Sequence, residues 1–108
     1  ISAADVGKTF VVSWELRDAD VVVKLSQSVS QHLQPGFDVG FYWHFGKSLT
    51  IECEKIAVAT EYSATSTGLN INIRIPEKYG SIAIKKMYNN GTSDFWRIYG
   101  DVEIEVVS

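Results

Sequence analysis

Residues 37–53 read FDVGFYWHFGKSLTIEC, and this stretch decides the fold class of the chain. Large apolar residues occupy every second position on both sides of Gly46-Lys47, which is the pattern of two half-buried β-strands. Each such side chain stabilises a protein by roughly 1.5–3 kcal/mol when buried, so we expect these positions to face a core. The inward set is Phe37, Val39, Phe41, Trp43, Phe45, Leu49, Ile51 and Cys53. Tyr42 and His44 then lie on the polar, solvent-facing side.

Turn signals divide the chain around this stretch. Gly46-Lys47 has the length and the glycine of a tight hairpin connection. Residues 9–16 alternate in the same way, and we expect them to form a hairpin with residues 21–25. The inward positions predicted for that first strand are Phe10, Val12, Trp14 and Leu16. Residues 26–34 have no clean period and fit either a short extra strand or an irregular crossing loop.

Further alternating runs occupy residues 56–62, 69–75, 81–87, 95–99 and 102–106. A bend near Lys55 separates the first of these from the preceding strand, and Asn90-Gly91 is the strongest hairpin signal of the chain. The total is about eight or nine strands at the spacing of a sandwich or barrel. The crossing segments at 26–34 and 63–68 favour an all-β, two-sheet antiparallel β-sandwich of jelly-roll or Greek-key type. We expect residues 1–108 to form a single domain.

Charge and composition exclude several classes of partner. The chain has 13 acidic and 10 basic residues, a net charge of −3, and no block of like charge. Such a surface offers no electrostatic footprint for nucleic acid or for an anionic membrane. No apolar run approaches the roughly 20 residues of a membrane span, so we expect no membrane insertion. The single cysteine, Cys53, is predicted to be a buried, inert thiol.

Metal ligands are sparse in the sequence. His32 and His44 lie twelve residues apart, which is not a spacing typical of metal-binding histidines. The sequence therefore predicts no metal site and no cofactor, with one alternative left open. Calcium can be held between loops by scattered carboxylates and carbonyl groups. The candidates for that role are Asp18, Asp20 and Asp94.

Catalytic motifs are equally sparse. The chain has no glycine-rich phosphate loop and no Gly-x-Ser-x-Gly nucleophile motif. Glu52 with Glu54, and Glu103 with Glu105, project from their strands about 7 Å apart, a separation that glycoside hydrolysis accepts. The same pattern is typical of any solvated strand face. We therefore expect no enzyme, and a hydrolase is only a third hypothesis.

Aromatic residues are the one feature above an ordinary composition, with three Trp, five Tyr and five Phe. Flat rings beside amide and carboxylate groups suit a sugar, which has apolar faces and hydroxyl edges. Such residues occur on the polar face of the central strand and around the Asn90-Gly91 hairpin. The predicted ligand-binding residues are Tyr42, His44, Tyr88, Asn89, Asn90, Asp94 and Trp96.

These features predict a non-catalytic carbohydrate-binding domain, lectin-like or a carbohydrate-binding module, whose partner is a glycan or glycoprotein. The alternative is a structural or adhesive protein-binding module of a larger surface, toxin or virion protein. We expect a location outside the cell or at its surface, where Asn90-Gly91-Thr92 would fit a glycosylation acceptor. A homo-oligomer formed through residues 101–107 or through the Tyr42 face would supply the several sites that agglutination of cells requires.

Overall fold

The architecture consists of two β-sheets that enclose an apolar core. The structure is a computed structural model, and it describes residues 1–61, 63–66, 68–89 and 94–107. Within these ranges nine strands form one five-stranded and one four-stranded sheet, which confirms the predicted all-β two-sheet sandwich. The strands are β1 (Thr9–Val11), β2 (Asp20–Leu25), β3 (Asp38–Tyr42), β4 (Ser48–Cys53), β5 (Ala57–Ala59), β6 (Ile71–Arg74), β7 (Ser81–Asn89), β8 (Asp94–Tyr99) and β9 (Glu103–Val106).

Successive strands alternate between the sheets. The five-stranded sheet has the order β1-β3-β7-β8-β5, and the four-stranded sheet has the order β2-β4-β6-β9. The chain therefore changes sheet after every strand from β1 to β6. The hairpins predicted for residues 9–25 and at Gly46-Lys47 are wrong, because both connections cross from one sheet to the other. β7 and β8 do pair as antiparallel neighbours, which confirms a hairpin there, although Asn90-Gly91 lies outside the described residues.

Both sheets are mixed rather than purely antiparallel. β1 runs parallel to β3, β2 runs parallel to β4, and β5 runs parallel to β8. In the sequence, β1 and β3 are separated by β2 of the opposite sheet, and β2 and β4 are separated by β3 of the opposite sheet. β4 and β6 also flank one strand of the opposite sheet, β5, but they pair antiparallel, so the crossing alone does not set the relative direction of two neighbouring strands.

The predicted inward positions of residues 37–53 are confirmed, except that Phe45 is only half-buried. Phe37, Val39, Phe41, Trp43, Leu49, Ile51 and Cys53 are all buried. Lys55, at the predicted bend, adopts a φ of +50°. β9 is an edge strand of its sheet, and Glu103 and Glu105 on it are exposed. Charged side chains at such an edge oppose pairing with a neighbouring molecule.

The inward assignment of Phe10, Trp14 and Leu16 is wrong. These side chains are 39%, 60% and 43% exposed. β1 ends at Val11, and residues Trp14–Leu16 form a short 3-10 helix, whose three-residue turn interrupts the alternation of a strand. Phe10 and Leu16 instead line an open groove of about 290 Å³ between the edges of the two sheets.

Residues 26–34 contain a helix, so both the strand and the loop predicted there are wrong. Helix α1 spans Gln27–His32, and the Ser26 side chain caps it by accepting a hydrogen bond from Val29 N at 3.2 Å. A six-residue helix is too short to show a clear apolar period in a sequence. A second 3-10 helix, Ala3–Asp5, precedes β1.

Candidate functional site

The predicted ligand-binding residues lie at opposite ends of β7. Tyr42 pairs with Ser81 at the beginning of β7, and His44 follows two residues later. Tyr88 and Asn89 end the same strand, about 23–26 Å from Ser81 at roughly 3.3 Å per residue. The structure therefore separates the predicted residues into two groups, and Asn90 falls outside the described ranges.

The group near the β7–β8 hairpin is only partly exposed. Asp94 and Trp96 have 2% and 1% of their surface accessible, so both side chains lie inside the protein. Tyr88 is 50% exposed, and its ring stacks on Phe95 at a centroid distance of 5.1 Å and an angle of 10°. Asn89 is also exposed. Tyr88 and Asn89 are thus the described members of this group that face solvent.

The group around Tyr42 belongs to a larger cluster of rings, which we name the aromatic surface. It consists of Trp14, Tyr42, His44, Phe45 and Tyr79. Trp14 and Tyr79 are 60% and 64% exposed, while the other three rings are half-buried. The cluster therefore presents two accessible rings on a base of three partly covered ones.

His44 occupies the centre of the aromatic surface. Its ring contacts Tyr42 at 5.7 Å, Phe45 at 4.4 Å and Tyr79 at 5.1 Å between centroids. A hydrogen bond of 3.4 Å joins His44 Nδ1 to the Tyr42 hydroxyl. Phe45 in turn meets the edge of Trp14 at 5.1 Å. These offset and edge-to-face geometries are the favourable ones for aromatic pairs, so each ring fixes its neighbour.

Arg17 extends the aromatic surface beyond Trp14. Its guanidinium carbon lies 4.8 Å from the centre of the Trp14 ring, within the range of a cation–π contact. Its Nη1 donates a hydrogen bond to the Trp14 carbonyl oxygen at 3.4 Å. Arg17 thus brings a cation and hydrogen-bond donors next to the most exposed tryptophan.

Backbone hydrogen bonds around Trp43 hold the two sides of the aromatic surface together. Trp43 N donates to Gly80 O at 3.0 Å, and Tyr79 N donates to Trp43 O at 2.6 Å. The connection between β6 and β7 is thereby tied to the segment that carries His44. The buried Trp43 ring also donates from Nε1 to Gly46 O at 3.2 Å, which fixes the crossing that follows Phe45.

The crossing at Gly46 brings the 3-10 helix that carries Trp14 to this end of the sandwich. Lys47 N donates to Ala19 O at 2.8 Å. Gly46 adopts a φ of +102°, and a side chain there would come within 3.2 Å of the same Ala19 oxygen. A residue without a Cβ is therefore favoured where the two loops meet.

The three calcium candidates have other partners. Asp20 accepts a hydrogen bond from Ser48 Oγ at 2.8 Å, and an Asp18 oxygen lies 3.8 Å from Arg17 Nε. Asp94 is buried beside Lys86. Across the described ranges, no group of three His, Cys, Asp or Glu residues is placed to hold a metal ion.

Three members of the aromatic surface were not predicted as site residues. Trp14 and Phe45 fit the alternation of their predicted strands, so the sequence assigned both to the core. Tyr79 follows Pro76 in a turn, where an aromatic residue between polar ones is a weak signal of surface function. Its position beside His44 depends on the pairing of Trp43 with the β6–β7 connection, which lies far away in the sequence.

No family model, curated protein or solved structure matches this chain. Any account of its function therefore depends on the site itself. In the part of the chain that the structure describes, no helix combines the length and the apolar character that crossing a membrane requires.

Proposed function

We propose that this chain is a non-catalytic carbohydrate-binding domain that holds a glycan or glycoprotein against the aromatic surface. The observation that carries the proposal is the cluster of five interlocked rings, two of which are more than half exposed. Rings of this kind are normally buried in a small domain, and an exposed group of them marks a binding site.

The chemistry of the surface suits a sugar. The C–H face of a pyranose packs on the face of an aromatic ring, and Trp14 and Tyr79 are the rings with accessible area. The hydroxyl edges of the sugar need donors and acceptors, which the Tyr42 hydroxyl, the His44 ring and the Arg17 guanidinium supply. The aromatic contacts hold these groups in place before the ligand arrives, which lowers the entropy lost on binding.

Tryptophan fluorescence with a panel of simple and oligomeric sugars tests the proposal. Trp43 and Trp96 are 8% and 1% exposed, so Trp14 is the indole that a surface ligand reaches. We expect a saturable change in emission from Trp14. The emission of Trp96 should not respond, because this residue is buried although it lies near the hairpin. A sugar panel that produces no saturable change would contradict the proposal.

Substitutions locate the binding site. Sugar binding is measured by calorimetry, because Trp14→Ala removes the fluorescent tryptophan. Trp14→Ala and Tyr79→Ala should each weaken binding about 3- to 10-fold, since a ring contact contributes roughly 0.5–1.5 kcal/mol. The matched control is Tyr88→Ala, which removes a ring 50% exposed at the far end of β7. Loss of binding in Tyr88→Ala alone would assign the sugar to the hairpin end instead.

An adhesive protein-binding module is the second candidate, favoured by the outer face of the five-stranded sheet. Tyr88 and Tyr99 are about half exposed there, and the Arg97 guanidinium lies 5.6 Å from the Tyr99 ring. Tyrosine and arginine are enriched in protein interfaces. A glycan array separates the candidates, because it should be positive for the first and silent for the second.

A further inference from the structure

A lysine and an aspartate face each other inside the protein, close to the β7–β8 hairpin. Lys86 on β7 and Asp94 on β8 each have 1% of their side-chain surface exposed, and Lys86 Nζ lies 3.4 Å from Asp94 Oδ2. The neighbouring groups are Ser30 and Leu33 of the α1 region and the Trp96 ring. The aromatic surface makes no use of this pair.

The contacts of Lys86 fit an amine that faces a carboxyl group. Nζ donates to Ser30 O at 2.6 Å and to Leu33 O at 2.7 Å. These two carbonyl oxygens hold the nitrogen in place beside Asp94. The 3.4 Å contact with Asp94 is longer than the 2.7–2.9 Å of an ordinary ammonium–carboxylate hydrogen bond.

The contacts of Asp94 distinguish its two oxygens. Oδ2 accepts a hydrogen bond from Ser30 Oγ, which itself accepts one from Trp96 Nε1 at 2.9 Å. Oδ1 is buried and has no hydrogen-bond partner among the described residues. A buried carboxylate with a bare oxygen is costly, whereas a neutral amide carbonyl in the same place costs much less.

We propose that Lys86 and Asp94 condense into an intramolecular amide bond that joins β7 to β8. A proton passes from Nζ to the carboxylate, the nitrogen lone pair attacks Asp94 Cγ, and the bond from Cγ to Oδ2 breaks. Of the three protons of the starting ammonium group, one stays on the amide nitrogen and two leave with Oδ2 as water. The step needs no oxidant, reductant or other co-reactant.

The surroundings favour this condensation. Ser30 Oγ contacts the departing oxygen and is placed to relay a proton to it, and the Trp96 indole fixes the orientation of that hydroxyl. Burial excludes bulk water, which is the product that would reverse the reaction. The product also removes two opposite charges from the interior, where each is expensive to keep.

Mass spectrometry of the full chain, folded and then denatured for analysis, tests the proposal. We expect a mass lower than that of the sequence by one water molecule. Trypsin should leave Lys86 uncleaved and release residues 86–97 as one peptide. Fragmentation of that peptide should give no backbone ions between Lys86 and Asp94, because the amide bond closes a ring there. A full sequence mass together with cleavage after Lys86 would overturn the proposal.

Two controls exclude other losses of water. A cyclic imide formed at an aspartate also loses water, but it is opened by hydroxylamine, whereas the amide is not. Lys86→Arg keeps a cation beside Asp94 and cannot form the bond, so it should show the full sequence mass. The proposal would be overturned if Lys86→Arg still lost water. It would also be overturned if hydroxylamine reversed the loss in the wild type. Neither result requires the variant to fold.

Discussion

Replacement of Ser30 by alanine in the Lys86→Arg background, where Asp94 keeps its carboxylate, should destabilise the fold far more than removal of one hydroxyl suggests. Ser30 is completely buried in α1, where its Oγ donates to Asp94 and accepts from Trp96 Nε1. Alanine leaves the indole N–H without its acceptor and takes one donor from the Asp94 carboxylate. Two buried polar groups on β8 thus lose a partner through one substitution.

The magnitude follows from these two losses. A buried donor left unsatisfied costs about 1–3 kcal/mol, and a hydrogen bond to a charged group contributes about 1.5–3 kcal/mol. The two effects overlap at one site, so we expect the free energy of unfolding to fall by about 2–4 kcal/mol. Single domains of this size are stable by about 5–15 kcal/mol. The variant should fold, with a Tm lower by about 10–25 °C.

Urea denaturation followed by circular dichroism measures the change, with Ser28→Ala as the matched control. Ser28 lies on the exposed side of the same helix, and among the described residues its hydroxyl forms a hydrogen bond only with Ser26 Oγ, at 3.4 Å. We expect the control, made in the same background, to stay within about 0.5 kcal/mol of the Lys86→Arg parent. Equal stability of Ser30→Ala and Ser28→Ala would refute the reasoning about the buried network.

Two further predictions concern the crossing between the sheets and the buried thiol. Gly46→Ala should lower the free energy of unfolding by about 1–3 kcal/mol in thermal melts, because an L-residue is strained at a φ of +102° and its Cβ would contact Ala19 O. The control is Gly36→Ala, because Gly36 has a similar φ of +95° but nothing lies within 4 Å of the added carbon. An equal loss of stability in Gly36→Ala would show that the contact with Ala19 O has no effect. Burial raises the pKa of Cys53 from 9.0 to about 12, so the folded thiol should resist alkylation at about pH 8 while the unfolded thiol reacts. The unfolded thiol ionises first, so the free energy of unfolding should fall between pH 9.0 and about 12 by up to about 1.4 kcal/mol per pH unit. In urea denaturation at alkaline pH, Cys53→Ala should not show the fall in stability that ionisation of the unfolded thiol causes. Identical dependence of stability on pH in the wild type and in Cys53→Ala would disprove this prediction.

The candidate site shows how far sequence reasoning reached. Tyr42 and His44 were predicted as surface aromatics because they fall between core positions, and that alternation depends only on the local strand. Trp14 and Tyr79 join them through contacts between distant segments, which no local pattern contains. The separation of Tyr88 from Tyr42 likewise follows from the antiparallel pairing of β3 with β7.

The fold class and most of the core were determined by the sequence alone. The two-residue period of apolar side chains in residues 37–53 is a property of each strand by itself, and it holds whichever strands become neighbours. Only the tertiary structure decided the sheet in which each strand lies, because a turn such as Gly46-Lys47 can either close a hairpin or cross between sheets. That choice depends on the energy of packing two apolar faces together, to which residues throughout the chain contribute. The aromatic surface and the Lys86–Asp94 pair both arise from that packing.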